Sequence, residues 1–333
     1  MKRKGFIYEK IVELDNIELA ICKASTGKTK RKNVEKILDS PTYYAMQVQK
    51  MLKEKNYTPS PYIEMIIHDG ANKKERIIYK PRFYPDQVVH WALMLQIQSI
   101  IYKGMYELCC ASIKGRGIQR GMNYLKRILV NDRKYTKYCL KLDVKKFYPS
   151  IDKDILKSKF RKIIKDKDTL DLIDVIIDSG KEGLPIGNYI SQYLGNLYLS
   201  YFDQSVISRK DVKNYFRYCD DIVIVAESKE AIKHIYSYIE QYLKYELNLK
   251  IKSNKQYYAL QFRNLDFVGY VFLSNGKVKL RSNIKVNMCK AMKKNKAEVI
   301  SAYYGWVLEA RAFGLWNKYY KGVKYGNKKR NRR

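Results

Sequence analysis

Two adjacent carboxylates in Tyr218-Cys219-Asp220-Asp221 are the first residues whose types and spacing could do chemistry. They lie between Lys213-Asn214-Tyr215-Phe216-Arg217 and Ile222-Val223-Ile224-Val225-Ala226. Both flanks are rich in aromatic or β-branched residues and predict short strands. Adjacent acids at such a junction suit a tight turn, and a polar surface hairpin is the plain reading. They also suit a divalent cation, because hard cations take carboxylate oxygens. The carboxylate that could join them is Asp143, which ends the strand-like run Tyr138-Cys139-Leu140-Lys141-Leu142. Three carboxylates on adjacent strands can hold two metal ions roughly 3.5–4 Å apart, stabilising both oxygens of an in-line phosphoryl displacement. Magnesium suits an all-oxygen site whose shell is completed by substrate phosphates, with manganese as a substitute.

The elements that must position these acids follow from periodicity. After the strand at 138–143 comes a helix capped by Ser150 or Asp152, with Ile155, Leu156, Phe160, Ile163 and Ile164 on its buried face. Gly183-Leu184-Pro185-Ile186-Gly187-Asn188 opens another helix, with Leu194, Leu197, Tyr198 and Tyr201 at helical spacing. The hairpin follows, then a strongly amphipathic helix over 229–247. Strands are expected at Leu265–Phe272 and Lys277–Leu280. The order βαββαβ predicts a ferredoxin-like antiparallel sheet with helices on one face, which sets Asp143 beside Asp220 and Asp221. Upstream, 41–58 and 86–102 read as helices, and 62–68 with 75–79 as a hairpin turning at Asp69-Gly70-Ala71-Asn72. The basic loop Ser112–Gly121 enters a helix, where backbone amides can meet a phosphate, or is an ordinary helix entry. Gly27-Lys28-Thr29 lacks the upstream glycine and preceding strand of a phosphate-binding loop and is rejected as one.

Composition narrows the partners. The 333 residues carry 66 Lys+Arg against 33 Asp+Glu, a formal charge of +33, which marks a polyanion binder. Nucleic acid is the first candidate and an anionic membrane surface the second. No apolar run reaches the roughly 18–20 residues of a span, and no signal-peptide core follows Met1-Lys2-Arg3-Lys4. A soluble, cytoplasmic protein without a membrane partner is expected. Cys22, Cys109, Cys110, Cys139, Cys219 and Cys289 form no C-x-x-C pair, which argues against zinc and disulfide frameworks. Some of the 31 tyrosines could stack on bases.

From about residue 41 to 320 the chain resembles reverse transcriptases. The motifs that carry the resemblance are Leu142-Asp143-Val144-x-x-Phe147-Tyr148, Leu184-Pro185-Ile186-Gly187 with Ser191-Gln192, Tyr218-Cys219-Asp220-Asp221, and Phe267-Val268-Gly269-Tyr270. The resemblance implies an α+β right-hand polymerase with fingers, a ferredoxin-like palm and a helical thumb. It implies a basic N-terminal extension at 1–40, fingers with the first palm segments at 41–137, palm at 138–280, thumb at 281–322 and a basic tail at 323–333. It also implies RNA-directed DNA synthesis from dNTPs on template RNA with a primer or growing cDNA. Asp143, Asp220 and Asp221 match the catalytic metal-binding triad, and the Val144 carbonyl a backbone ligand. Tyr148, beside Phe147, matches the gate against a 2′-hydroxyl, unless it is plain core packing. Arg76 matches the triphosphate grip, assisted by Lys74 or Lys73, and Ile186, Gly187 and Gln192 fall in the segment facing the nucleotide. Nucleic-acid contacts are expected from Lys114, Arg116, Arg120, Tyr218, Gly269 and Tyr270.

The departures suggest a biological role. Most relatives have glutamine where this chain has Ile186, and the form I-G-x-x-x-S-Q resembles the enzymes of diversity-generating retroelements. Ser301-Ala302-Tyr303-Tyr304-Gly305-Trp306, with Leu315, resembles that group's thumb. Those enzymes copy a template RNA with errors at adenines and work with a small basic accessory protein. A branched apolar side chain cannot make glutamine's hydrogen bonds, which accounts physically for weaker selection. An anti-phage defence reverse transcriptase with an unusual template or primer is the alternative. A non-catalytic RNA-binding scaffold is the alternative of another class. An intron maturase is less well supported, since little follows the thumb in which to place an endonuclease or RNase H domain.

Overall fold

The computed structural model describes residues 2–69, 74–113, 115–293 and 297–320. The turn at 70–73, the side chain of Lys74, Lys114 and the tail at 323–333 lie outside the described residues. Four helices open the chain: α1 (Tyr8–Ile11), α2 (Leu14–Ser25), α3 (Lys32–Leu38) and α4 (Pro41–Lys53). They bury Ile11, Ile17, Ala20, Ile21, Val34 and Val48 against α5 (Val88–Lys103), and Asn16 Nδ2 donates to the Ala92 carbonyl at 3.1 Å. Residues 1–40, expected as a basic extension, are therefore built into the core. Their apolar residues recur at helical spacing beneath a lysine-rich surface. Between α4 and α5 the antiparallel hairpin β1 (Ile63–Asp69)–β2 (Lys74–Lys80) stands apart as its own sheet.

The centre is a four-stranded antiparallel sheet in the order β4 (Asn214–Tyr218), β5 (Asp221–Ala226), β3 (Tyr138–Asp143), β6 (Gln256–Ala259). This is the ferredoxin-like order expected from the motif sequence. Period-2 alternation sends Leu140, Leu142, Ile222 and Ile224 to one face, and Cys139, Val223 and Val225 to the other. The first face is covered by α7 (Lys153–Ile163), α9 (Tyr189–Ile207) and α10 (Lys229–Tyr245). Asp152 rather than Ser150 caps α7, accepting from the Asp154 and Ile155 amides at 3.0 Å.

The second face is not open, as a one-sided sheet would be. α6 (Ile118–Asn131), a separate three-stranded sheet and the C-terminal helices α11 (Ser282–Lys293), α12 (Ala297–Ala310) and α13 (Phe313–Tyr319) contribute to its core. That small sheet is β7 (Leu265–Phe267), β8 (Tyr270–Phe272) and β9 (Val278–Leu280). The run 265–272, expected as one strand, is thus two. Val268 at φ 42° and Gly269 at φ 87° turn it into a hairpin, a geometry glycine adopts without a Cβ penalty. The fourth strand of the central sheet is instead β6. Its sequence Gln-Tyr-Tyr-Ala lacks β-branched residues and it pairs only with β3, so pattern reading passed it over.

Candidate active site

The register of the central sheet assembles the acids. Asp143, last residue of β3, pairs directly with Asp221, first residue of β5, and Tyr218 pairs with Asp221 across the β4–β5 hairpin. Cys219 and Asp220 alone make the turn, with Cys219 at φ 54°. Such a two-residue connection matches strand twist and holds Asp220 next to the strand end. All three acids are half-buried. Burial first, then the charge of Asp143, pushes Asp220 up to about 7. Burial also raises Asp221, opposed by the nearby Lys141. Asp143 Oδ1 is buried and has no hydrogen-bond partner among the described residues. Crowded, desolvated carboxylates with an orphaned oxygen are short of positive charge, and their hard oxygen donors fit a divalent cation. Among the described residues no three acidic, imidazole or thiol side chains close round one ion by themselves. The Val144 main chain, next to Asp143, bridges Ile251.

Two parts of the site had no sequence signal. Lys252 Nζ donates to Asp143 Oδ2, and the Lys252 amide donates to the Asp143 carbonyl at 2.8 Å. Beneath the turn, Arg217 and Asp203 form an ion pair with side-chain exposures of 0%/0%. Arg217 Nε donates to Asp203 Oδ1 at 2.7 Å, while Nη1 donates to the Cys219 carbonyl at 2.7 Å and to Asn196 Oδ1 at 3.2 Å. The guanidinium fork thus clamps the turn to α9. Nothing in the sequence marks a lysine 109 residues after Asp143, or an aspartate within an apolar helix, as a partner of the acids.

Of the residues expected to face the nucleotide, Phe147 is buried and Tyr148 half-buried. A Cβ on Gly195 of α9 would lie 3.0 Å from Phe147 and 3.1 Å from Tyr148, so glycine lets both rings lie against the helix. The Tyr148 phenol lies beside Cys219 and Asp220, and burial raises it well above the ordinary tyrosine range. The Tyr79 amide of β2 donates to the Ile186 carbonyl at 2.6 Å, and Gly187 (φ 99°) lies against Ile78. The hairpin carrying Arg76 is therefore tied to the Ile186-Gly187 segment. Arg76 itself is exposed on β2, opposite Ile67. Gln192 is exposed and its Oε1 accepts from Ser112 Oγ at 2.6 Å. Tyr218 is half-buried beside the turn.

Four expected nucleic-acid contacts are placed differently. Tyr270 is 2% exposed and packs on Trp306 at a ring-centroid distance of 5.1 Å, so its side chain is core. Gly269 is covered by the same indole, where a Cβ would meet a ring carbon at 2.4 Å. The turn at Val268 and Gly269 reverses the chain before Tyr270, and Trp306 closes over the ring. Arg116 donates to the Tyr106 carbonyl at 3.0 Å and Arg120 pairs with Glu107, so both brace the preceding loop.

An antiparallel sheet of this order, with carboxylates at one strand end and the adjoining hairpin turn, beneath a separate hairpin and beside C-terminal helices, defines a right-hand polymerase. Residues 72–272 match the family model "Reverse transcriptase (RNA-dependent DNA polymerase)", and the chain belongs to that family. It is 27% identical over 190 residues to the retron Se72 reverse transcriptase of Salmonella heidelberg, covering 54% of this chain and 47% of the relative. It is 28% identical over 202 residues to the retron Ec73 reverse transcriptase of Escherichia coli, covering 55% of this chain and 61% of the relative. The chain thus spans about half to three-fifths of these relatives' length. Among solved structures, apo telomerase from Candida tropicalis superposes with a TM-score of 0.53 at 11% identity, covering 70% of this chain and 52% of that one. Telomerase from Candida albicans in complex with a TWJ fragment of telomeric RNA gives 0.52 at 11% identity, covering 85% and 59%. These likenesses concern the fold. Among the described residues no helix is long and apolar enough to cross a membrane.

Proposed function

We propose that this chain is an RNA-directed DNA polymerase that extends a primer on template RNA, with Asp143, Asp220 and Asp221 as its catalytic carboxylates. The observation that carries the reading is the direct pairing of Asp143 with Asp221, with Asp220 at the adjoining turn and Asp143 Oδ1 buried without a partner. Two divalent ions bound by these acids and the Val144 carbonyl, magnesium by preference, would supply Lewis-acid stabilisation of the attacking and leaving oxygens. Lys252 neutralises Asp143 Oδ2 and leaves Oδ1 as the free ligand atom. Arg217 fixes the Cys219 carbonyl and so the direction in which Asp220 points. Tyr148, held between α9 and the turn, is the ring that excludes a ribose 2′-hydroxyl in this reading, supported by its place beside Asp220. Arg76 grips the dNTP triphosphate, with Lys74 assisting, and the Tyr79–Ile186 bond sets the height of that hairpin over the nucleotide. The test is primer extension with dNTPs on an RNA template. Asp143→Asn and Asp220→Asn fold normally and lose roughly 10²–10³-fold or more in rate. Either variant extending at near the wild-type rate would sink the assignment.

The finer role is a cytoplasmic retroelement enzyme working on its own RNA. Ile186, half-buried with its carbonyl engaged, presents only an aliphatic branch to the nucleotide, which supports error-prone copying at adenines for diversification with an accessory protein. The likeness to retron reverse transcriptases supports the second reading, a defence enzyme. Sequencing the cDNA made by wild type and Ile186→Gln separates them. The diversification reading expects adenine errors that fall in the variant, and an unchanged error spectrum removes it.

A further inference from the structure

A second charged cleft lies away from the carboxylates. It is a cavity of about 1200 Å³ between α6, the β8–β9 turn with β9, the start of α11 and the α12–α13 junction. Lys126, Arg127, Lys277, Lys279, Lys285 and Arg311 line it, and among the described residues no carboxylate does. None of the residues assigned to the catalytic site is among its walls. Val130, Val278, Leu280 and Ala312 contribute apolar wall, and Asn123, Asn131 and Asn275 supply amides.

The cleft is built rather than incidental. Gly276 (φ 77°) brings the β8–β9 turn onto α6 so closely that a Cβ would lie 2.5 Å from Val130 Cγ2. Lys126 Nζ donates to the Glu309 carbonyl at 3.3 Å, tying α6 to α12. Burial and then the charge of Arg311 lower the Lys126 pKa, opposed by Glu309 just outside the wall, so the cations of the wall crowd one another. Like charges held together in a concave wall destabilise the empty protein and are offset by a polyanion.

Among the described residues the lining contains no aromatic side chain, so these walls offer no platform for stacking unpaired bases. Lysines, arginines and amides instead match phosphates and the 2′-hydroxyls of an A-form minor groove, which are read by shape. We propose that this cleft holds a double-helical segment of RNA by its backbone, apart from the strand being copied. The assignment rests on reading the chain as an enzyme that works on RNA.

The test uses wild type and Arg127→Gln/Lys279→Gln/Lys285→Gln/Arg311→Gln, whose replaced side chains are exposed. The main cleft is first filled with a chain-terminated primer–template and the next dNTP. Binding of a labelled RNA duplex of about 16 base pairs is then followed by anisotropy at several salt concentrations. Wild type should bind the duplex, and the variant at least about tenfold more weakly, with the log K against log salt slope smaller by about one for each cation removed. Melting temperature and extension of a short primer–template at saturation should not change. Equal affinity and slope in the variant would overturn the proposal. So would a parallel loss of short-template extension, which would merge the cleft with the main one, or tighter binding of a polyglutamate peptide than of RNA. A wild type that binds the duplex but extends no primer would instead remove the polymerase reading and leave the cleft standing.

Discussion

Asp220→Asn should abolish synthesis and yet stabilise the metal-free protein above neutral pH. In the folded chain the Asp220 carboxyl is raised from its ordinary 3.8 to about 7 by burial and by Asp143. A raised carboxyl means that the folded protein holds a proton that the unfolded chain has already released. Below pH 3.8 both states hold it and nothing is lost. Between 3.8 and about 7 rising pH costs stability, and above about 7 the cost is complete. At about 1.4 kcal/mol for each pH unit the gap corresponds to roughly 4 kcal/mol, and partial solvent screening at a half-buried site reduces it to about 2–4 kcal/mol. Asparagine keeps the shape and carries no charge, so it removes that cost. The assay is thermal unfolding of chelator-treated wild type and variant from pH 4 to pH 8.5. The variant's advantage should be absent near pH 4 and reach roughly 3–6 °C above pH 7. Adding magnesium should then favour wild type, because bound cations offset the same repulsion that asparagine deletes. A variant that is less stable than wild type at pH 8, or whose advantage does not vary with pH, would refute the picture of crowded carboxylates.

Arg217→Gln leaves Asp203 charged and buried, and should cost about 3–5 kcal/mol, read as a lower melting temperature, while Arg217→Gln/Asp203→Asn recovers part of it. A single variant melting like wild type would contradict the clamp. Tyr148→Ala should raise incorporation of rNTPs relative to dNTPs by roughly tenfold or more in competition assays, and an unchanged ratio assigns the ring to packing alone. Lys252→Met leaves Asp143 Oδ2 without its cation, so magnesium titrations of activity should shift while the Kd for primer–template stays the same. An unaltered metal dependence would make Lys252 a bystander.

The grouping of the three carboxylates was legible in the sequence because they sit at strand ends, where short-range pattern decides position. β-branched residues flank Asp220 and Asp221, an alternating run ends at Asp143, and a two-residue turn leaves one register. The covering of the second sheet face was not legible, because a strand buried on both sides reads as continuously apolar whichever elements cover it. Tyr270 illustrates the limit. Its type and motif suggested an outward contact, but two residues of positive φ before it reverse the chain, and Trp306 from α12 closes over it. Within 1–40 the apolar spacing over Glu9 to Cys22 reads as a short helix, but its docking against α5 was not legible, since net charge reports the surface of a helix and not the stripe it buries.

What the sequence determined by itself was the local chemistry: the paired carboxylates, the strands that carry them, the aromatic pair at 147–148 and the overall positive charge. The tertiary structure alone decided which distant groups answer those charges. Lys252 reaches Asp143 because Val144 bridges Ile251, and Arg217 reaches Asp203 because β4 lies on α9. It also gathered cations from α6, β9, α11 and the α12–α13 junction into one cleft. Charges interact through space over a few ångströms, and chain order does not encode those distances until the core has packed.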